Sequence, residues 1–228
     1  MSEPGIDIEL PRPRPGAVTL EGRYVRLEPL SLAHAGSLYA ASAGSENRSR
    51  FDYLFEPPPD SEADVRAWIE RVSILSDPMY FAVVDKDSGG CGGRQALMNI
   101  KPEHGSIELG GIYWGPGIAR TRRATEAVWL HLHYAFETLG YRRFEWKCNN
   151  RNEASKSAAL RFGFTFEGVF RQHMVVKGSN RDTAWYSITD TEWPALRSEY
   201  ERWLEPSNFD AAGRQLSKLE TRRPSDAS

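Results

Sequence analysis

Residues 106–127 read Ser-Ile-Glu-Leu-Gly-Gly-Ile-Tyr-Trp-Gly-Pro-Gly-Ile-Ala-Arg-Thr-Arg-Arg-Ala-Thr-Glu-Ala. Ile107, Leu109, Ile112, Tyr113 and Trp114 mark a buried strand over 106–114. Gly110-Gly111 inside it suggests a bulge or a close backbone approach by a ligand. A helix opens at Ala124 and runs to Leu139. Val128, Leu132, Ala135, Phe136 and Leu139 form its apolar stripe, and Gly140 stops it. A strand-loop-helix unit aims free backbone N–H groups and the positive end of a helix dipole at one spot, which suits a pyrophosphate. Arg120, Arg122 and Arg123 add charge and bidentate donors beside it. On this segment alone, solvated arginines before an ordinary helix are an equally good reading.

Outward from this unit the elements alternate. Val18–Leu27 reads as a strand, Ser31 to Ala43 as a helix. Asp60 or Ser61 opens a second helix carrying Val65, Trp68, Ile69 and Val72. Tyr80–Val84 and Gln95–Ile100 are short strands. The cluster Asp87-Ser-Gly-Gly-Cys-Gly-Gly between them lacks both GxGxxG spacing and a following helix, so it reads as a hairpin connection rather than a phosphate loop. Downstream come a strand over Arg143–Cys148 and a helix over Glu153–Phe162 ended by Gly163. Phe164–Val176 and Asp182–Thr189 form a hairpin around Lys177-Gly-Ser-Asn, and a helix follows from Glu192 to Leu204. Residues 1–16, rich in Pro and Gly, are expected to be disordered. Residues 17–205 form the folded domain, and 206–228 a solvated or loosely attached tail.

With 228 residues, a formal net charge of −2, 40% hydrophobic and 26% charged residues, the chain has the composition of an ordinary globular protein. Near-neutral charge counts against non-specific nucleic-acid binding. The apolar runs suit neither a signal peptide nor a membrane span, so neither nucleic acid nor membrane is expected as a partner. Cys91 and Cys148 lack CxxC spacing and read as reduced thiols of a cytoplasmic protein. His131 and His133, two apart on a helix, make a poor metal pair, and no metal site is expected.

Ala124-Thr-Glu-Ala127, Asn152-Glu-Ala-Ser155 and Phe162-Gly-Phe-Thr-Phe-Glu167-Gly168, in this order of elements, resemble the GNAT (Gcn5-related N-acetyltransferase) superfamily. Within it the likeness is to the branch of RimJ- and RimL-type ribosomal-protein N-terminal acetyltransferases, and it covers roughly residues 17 to 190. The resemblance implies an α/β GNAT fold: a mixed, strongly bent sheet of about seven strands with helices on both faces. It implies acetyl-CoA as co-substrate, entering where strand 106–114 splays from strand 143–148, and direct acetyl transfer to a primary amine. A protein or peptide N-terminus and a small amine are both open as acceptor, and a homodimer is compatible with the pattern.

Residue by residue, the likeness places Arg120, Thr121, Arg122, Arg123, Ala124 and Thr125 in the cofactor loop and Asn152 on the pantetheine arm. Glu108 becomes the candidate base and Ser155 the candidate acid for the departing thiolate. Glu108 could equally be a solvent-facing strand residue, and Asn152 or Ser155 a helix cap. Trp114, Trp129, Trp146 and Trp185 read as core, with Trp114 also placed to line an acceptor pocket. Two features depart from the family. Its loop usually reads Arg/Gln-x-x-Gly-x-Gly/Ala, whereas Ala119-Arg-Thr-Arg122-Arg-Ala124 lacks the first residue and the middle glycine. The tyrosine common four residues beyond the serine is here Ala159. Both departures favour the rival reading, a non-catalytic acyl-CoA-binding module.

Overall fold

The computed structural model describes residues 8–221. Strands Leu20–Glu21 (β1), Val25–Pro29 (β2), Met79–Asp85 (β3), Cys91–Lys101 (β4), Ser106–Trp114 (β5), Arg143–Asn149 (β6), Thr165–Val176 (β7) and Ser179–Thr189 (β8) form one sheet in the order β1-β2-β3-β4-β5-β6-β8-β7. β5 and β6 are parallel, and the other neighbours are antiparallel. Five α-helices accompany it: Ala35–Ser42 (α1), Glu62–Ser73 (α2), Arg122–His133 (α3), Glu153–Arg161 (α4) and Trp193–Leu204 (α5). The sheet has eight strands rather than about seven because the stretch read as one strand, 18–27, breaks around Gly22 and folds back as β1 and β2.

Two apolar layers cover the sheet's faces. Val128 and Leu132 from α3 and Ala135 from the turn that continues it join Leu196, Tyr200 and Trp203 from α5 over Leu97, Ile107 and Phe144. Leu38 from α1 and Val65 and Ile69 from α2 pack with Ala82, Val84 and Tyr113. The stripe read along α3 is thus the buried one, although the α-helix proper ends at His133 and continues as a π-helical turn, Tyr134–Thr138. Ser61 caps α2 with a reciprocal bond to Asp64. Of the glycine cluster, residues 87–90 lie in the β3–β4 hairpin connection, and Cys91, Gly92 and Gly93 open β4. The last hairpin turns more tightly than its sequence suggests, on Lys177 and Gly178, both at positive φ (48° and 73°). That pair matches the twist of the flanking strands and lets β8 start at Ser179.

Two features position the site. Arg94 pairs with Tyr113 and Ala96 with Gly110, so Gly111 and Ile112 together face Gln95: a β-bulge, as the paired glycines suggested. Gly111 adopts φ +56°, and a Cβ there would stand 2.8 Å from the Tyr80 ring, so only glycine fits. Pairing of β5 with β6 stops at Glu108↔Glu145, and the strands then part. In the second feature, the Glu126 carboxylate on α3 accepts the backbone N–H groups of Arg23, Tyr24 and Val25 at 2.7, 2.6 and 2.7 Å, fixing the start of β2.

Residues 1–7 of the segment expected to be disordered lie outside the described residues; Arg12 N–H bonds the Pro102 carbonyl and Gly16 N–H the Tyr134 hydroxyl. Residues 206–221 are mostly exposed, yet Leu219 is buried and Trp203 Nε1 donates to Gln215 and to the Ser217 carbonyl. No helix among the described residues is long and apolar enough to cross a membrane.

Candidate active site

Where β5 and β6 part, a cleft of about 1960 Å³ opens. β5 beyond the bulge and the end of β6 form its walls, α4 lines one side, and the loop into α3 its mouth.

Glu108, the last β5 residue paired to β6, is 4% exposed. Its Oε2 accepts from Asn99 Nδ2 at 2.6 Å and Lys147 Nζ at 2.9 Å. Lys147 also reaches Glu145 Oε2 at 2.6 Å and lies 4.0 Å from the centre of the Trp185 ring. Glu108 therefore does not face open solvent. Burial raises its carboxyl above the ordinary value, with the Lys147 charge and both hydrogen bonds opposing. Since both donors converge on Oε2, Oε1 keeps its lone pairs for another proton donor.

On α4 the two polar candidates divide their tasks. Asn152 is the N-cap, its Oδ1 accepting Ser155 N–H at 3.1 Å. The Ser155 hydroxyl is free of that duty; it accepts the Trp146 indole N–H at 3.0 Å and lines the cleft. Ala159, where the family's tyrosine would stand, is fully buried.

The loop into α3 distributes its arginines differently from one another. Thr121 caps the helix, accepting Arg123 N–H at 3.2 Å and donating to the Ile118 carbonyl at 2.7 Å. Arg120, not Arg122, carries the positive φ (61°). Arg122 is helical and its guanidinium lies over the rings of Tyr24 and Phe209, at 4.1 and 5.2 Å. Arg123 turns to Asp85 and Asp87, at 2.7 and 2.6 Å, and is not among the cleft-lining residues. Ala124 and Thr125 are buried in the first turn, with Thr125 Oγ1 accepting from Arg161 at 3.0 Å. Arg120, Arg122 and Arg161 line the mouth, and none has a carboxylate within ion-pair distance among the described residues. The first turn's N–H groups point the same way, so the mouth has the chemistry of a phosphate site. Arg161 escaped the sequence reading; its one trace there is a position four residues after Ser157, on the α4 side that meets the cleft.

Trp114 lines the cleft and donates to Gln95 Oε1 at 3.1 Å. Trp146 is buried, and Trp129 and Trp185 are partly so. Cys91 and Cys148 are free and buried, and burial raises both thiols, Cys91 to about 11. His131 is buried against Gln95, while His133 packs beside Trp129. No group of three or more metal-ligating side chains is present among the described residues.

A family model described as an acetyltransferase (GNAT) domain matches residues 25–165. The crystal structure of a GCN5-related N-acetyltransferase from Brucella melitensis is 54% identical, with a TM-score of 0.91, covering 94% of this chain and 97% of that one. YdaF of Bacillus subtilis (strain 168), provisionally named a ribosomal N-acetyltransferase, is 32% identical over 111 residues, 46% of this chain and 57% of its own length. The microcin C7 self-immunity acetyltransferase MccE, solved with acetyl-CoA and AMP, shares the fold at 22% identity and a TM-score of 0.64, covering 74% of this chain and 93% of its own.

Proposed function

This chain belongs to the GNAT acetyltransferase family, and on that premise we propose that it moves an acetyl group from acetyl-CoA directly to a primary amine, with Glu108 as base and Ser155 as acid. The observation that carries this reading is that one cleft, opened by the bulge in β5, is lined by Glu108, by Ser155 and by the first turn of α3 together.

At the mouth, Arg120, Arg122 and Arg161 and the α3 N-terminus would hold the cofactor's phosphates, supplying by side-chain charge what the absent loop glycine would give in backbone fit. Asn152, already engaged in capping α4, keeps its side-chain N–H₂ for the pantetheine arm. Acetyl-CoA supplies an activated thioester whose C–S bond breaks as the C–N bond to the amine forms. Glu108 Oε1 takes the proton the amine sheds, and the raised affinity of this carboxyl for protons suits that task. Ser155 Oγ–H gives its proton to the departing sulfur and regains one from solvent. The Trp146 indole N–H, donating to Oγ, steadies the negative charge that builds there meanwhile.

Calorimetry with CoA, together with thiol release from acetyl-CoA in the presence of amines, tests this. Millimolar CoA should give a binding signal and raise the melting temperature. No signal and no thiol release with any amine would refute the reading.

A further inference from the structure

Arg181, on β8, is 9% exposed and lines the cleft on the side away from α3. Its Nε is buried without a hydrogen-bond partner, and no carboxylate among the described residues comes within ion-pair distance of its guanidinium. The guanidinium lies 5.4 Å from the centre of the exposed Phe55 ring. A desolvated cation without a counter-charge is costly, and the cost is relieved when an anion arrives.

Three acids that line the cleft are in the opposite condition. Glu56 is ion-paired with Arg94, Glu108 with Lys147, and Glu145 with both Lys147 and Arg143. A polycationic acceptor would find these carboxylates already paired, whereas an anionic group would find Arg181 vacant. Phe55, exposed and also lining this end, offers an aromatic face to an apolar body.

We propose that Arg181 is the anion-binding residue of the acceptor end of this cleft, and that the acceptor is a small primary amine bearing a carboxylate, of the free amino-acid type. This rests on the acetyl-transfer reading above. Glu108 and Arg181 line the same cleft, so the group that takes the amine's proton and the group that holds the anion face one acceptor. The fork of the guanidinium matches a carboxylate in two parallel bonds, which a lysine ammonium cannot copy.

The test compares thiol release with L-phenylalanine, L-phenylalaninamide, phenethylamine and a peptide amide beginning with aspartate, in the wild type, Arg181→Gln and Arg181→Lys. Phenylalanine should exceed its amide and phenethylamine at least tenfold in kcat/KM, chiefly through KM. That ratio should fall toward one in Arg181→Gln and recover in part in Arg181→Lys. Melting temperature and the CoA-induced shift, measured on each variant, report folding and cofactor binding separately. Loss of the CoA shift in the wild type sinks the acetyl-transfer reading and this one with it. An intact shift with the amide used as well as the acid, with no probe acetylated, or with a selectivity ratio unchanged in Arg181→Gln, overturns the role of Arg181 alone. Preference for the aspartyl peptide overturns the free-amino-acid assignment.

Discussion

Lys147 Nζ sits 2.9 Å from Glu108 Oε2, bridging β6 to β5 next to the last point where the two strands still pair. The contact holds a buried carboxylate at the closed end of the cleft and occupies one of its oxygens. A base needs this combination: an orientation fixed by neighbours and one oxygen left over.

Glu108→Gln keeps the shape and removes the proton acceptor. Turnover should fall about 10²-fold, in the range of lost general-base catalysis, with CoA affinity little changed. Steady-state kinetics beside CoA calorimetry measures both, and full activity at every pH would end the assignment.

Stability should move the other way. Burial raises the folded-state pKa of Glu108, so its favourable contribution is complete below the unfolded value and is lost as pH rises through the folded one. At neutral pH the ionised side chain is a cost, and Glu108→Gln should melt no lower than the wild type. In the same pH interval wild-type kcat/KM should climb, because catalysis uses the ionised form, and the Gln variant should lack that limb. A pH–rate profile and thermal melts across acidic to neutral pH check both halves.

Ser155→Ala removes the proposed acid and also strands the Trp146 indole N–H, at a cost of about 1–3 kcal/mol if that donor stays unpaired. With Trp146→Phe added, the double variant should lose less stability than the two single changes summed, since no donor is stranded although the smaller ring leaves a cavity, while turnover per folded molecule stays low. Asn152→Ala, which removes the α4 cap, should cost about 0.5–2 kcal/mol. Urea unfolding and kinetics on the same preparations separate these effects, and a fully active Ser155→Ala protein would end the catalytic role.

Arg161→Met should weaken CoA binding about tenfold or more and lessen its sensitivity to salt, because a charge facing the phosphate site is gone. The protein without CoA should lose only about 0.5–1.5 kcal/mol, for the hydrogen bond to Thr125, since no carboxylate loses a partner. Titration at two ionic strengths reads this, and an unaltered dissociation constant would remove Arg161 from the site.

Glu126→Ala leaves the Arg23, Tyr24 and Val25 amides without their acceptor and should cost about 2–5 kcal/mol, measurable by urea unfolding.

Much of the architecture was legible because it rests on local rules. The Val128–Leu132–Ala135 stripe needed only helical spacing, the start of α2 at Asp60 or Ser61 only residue type, and Gly110-Gly111 only the rarity of paired glycines in a strand. What escaped depends on distant neighbours. Lys147 meets Glu108 through the β5–β6 register, a relation that no spacing shows in one dimension. Arg123 reads like its neighbours until Asp85 and Asp87, far upstream, claim it. The division between Asn152 as cap and Ser155 as free hydroxyl turns on one hydrogen bond, which residue type alone does not decide.

The bond from Glu126 to the start of β2 also carries a timetable. The chain's early strands acquire their anchor from a residue about a hundred positions later, and β2 pairs only with β1 and with β3 at 79–85. During synthesis, at roughly 5–20 residues per second, the segment around residues 20–29 has no anchor on α3 for about 5–20 s after it is made. Its edge is open to other pairings until residues 79–85 emerge, and its start is unanchored until α3 follows, so folding of the amino-terminal end should wait on segments made later.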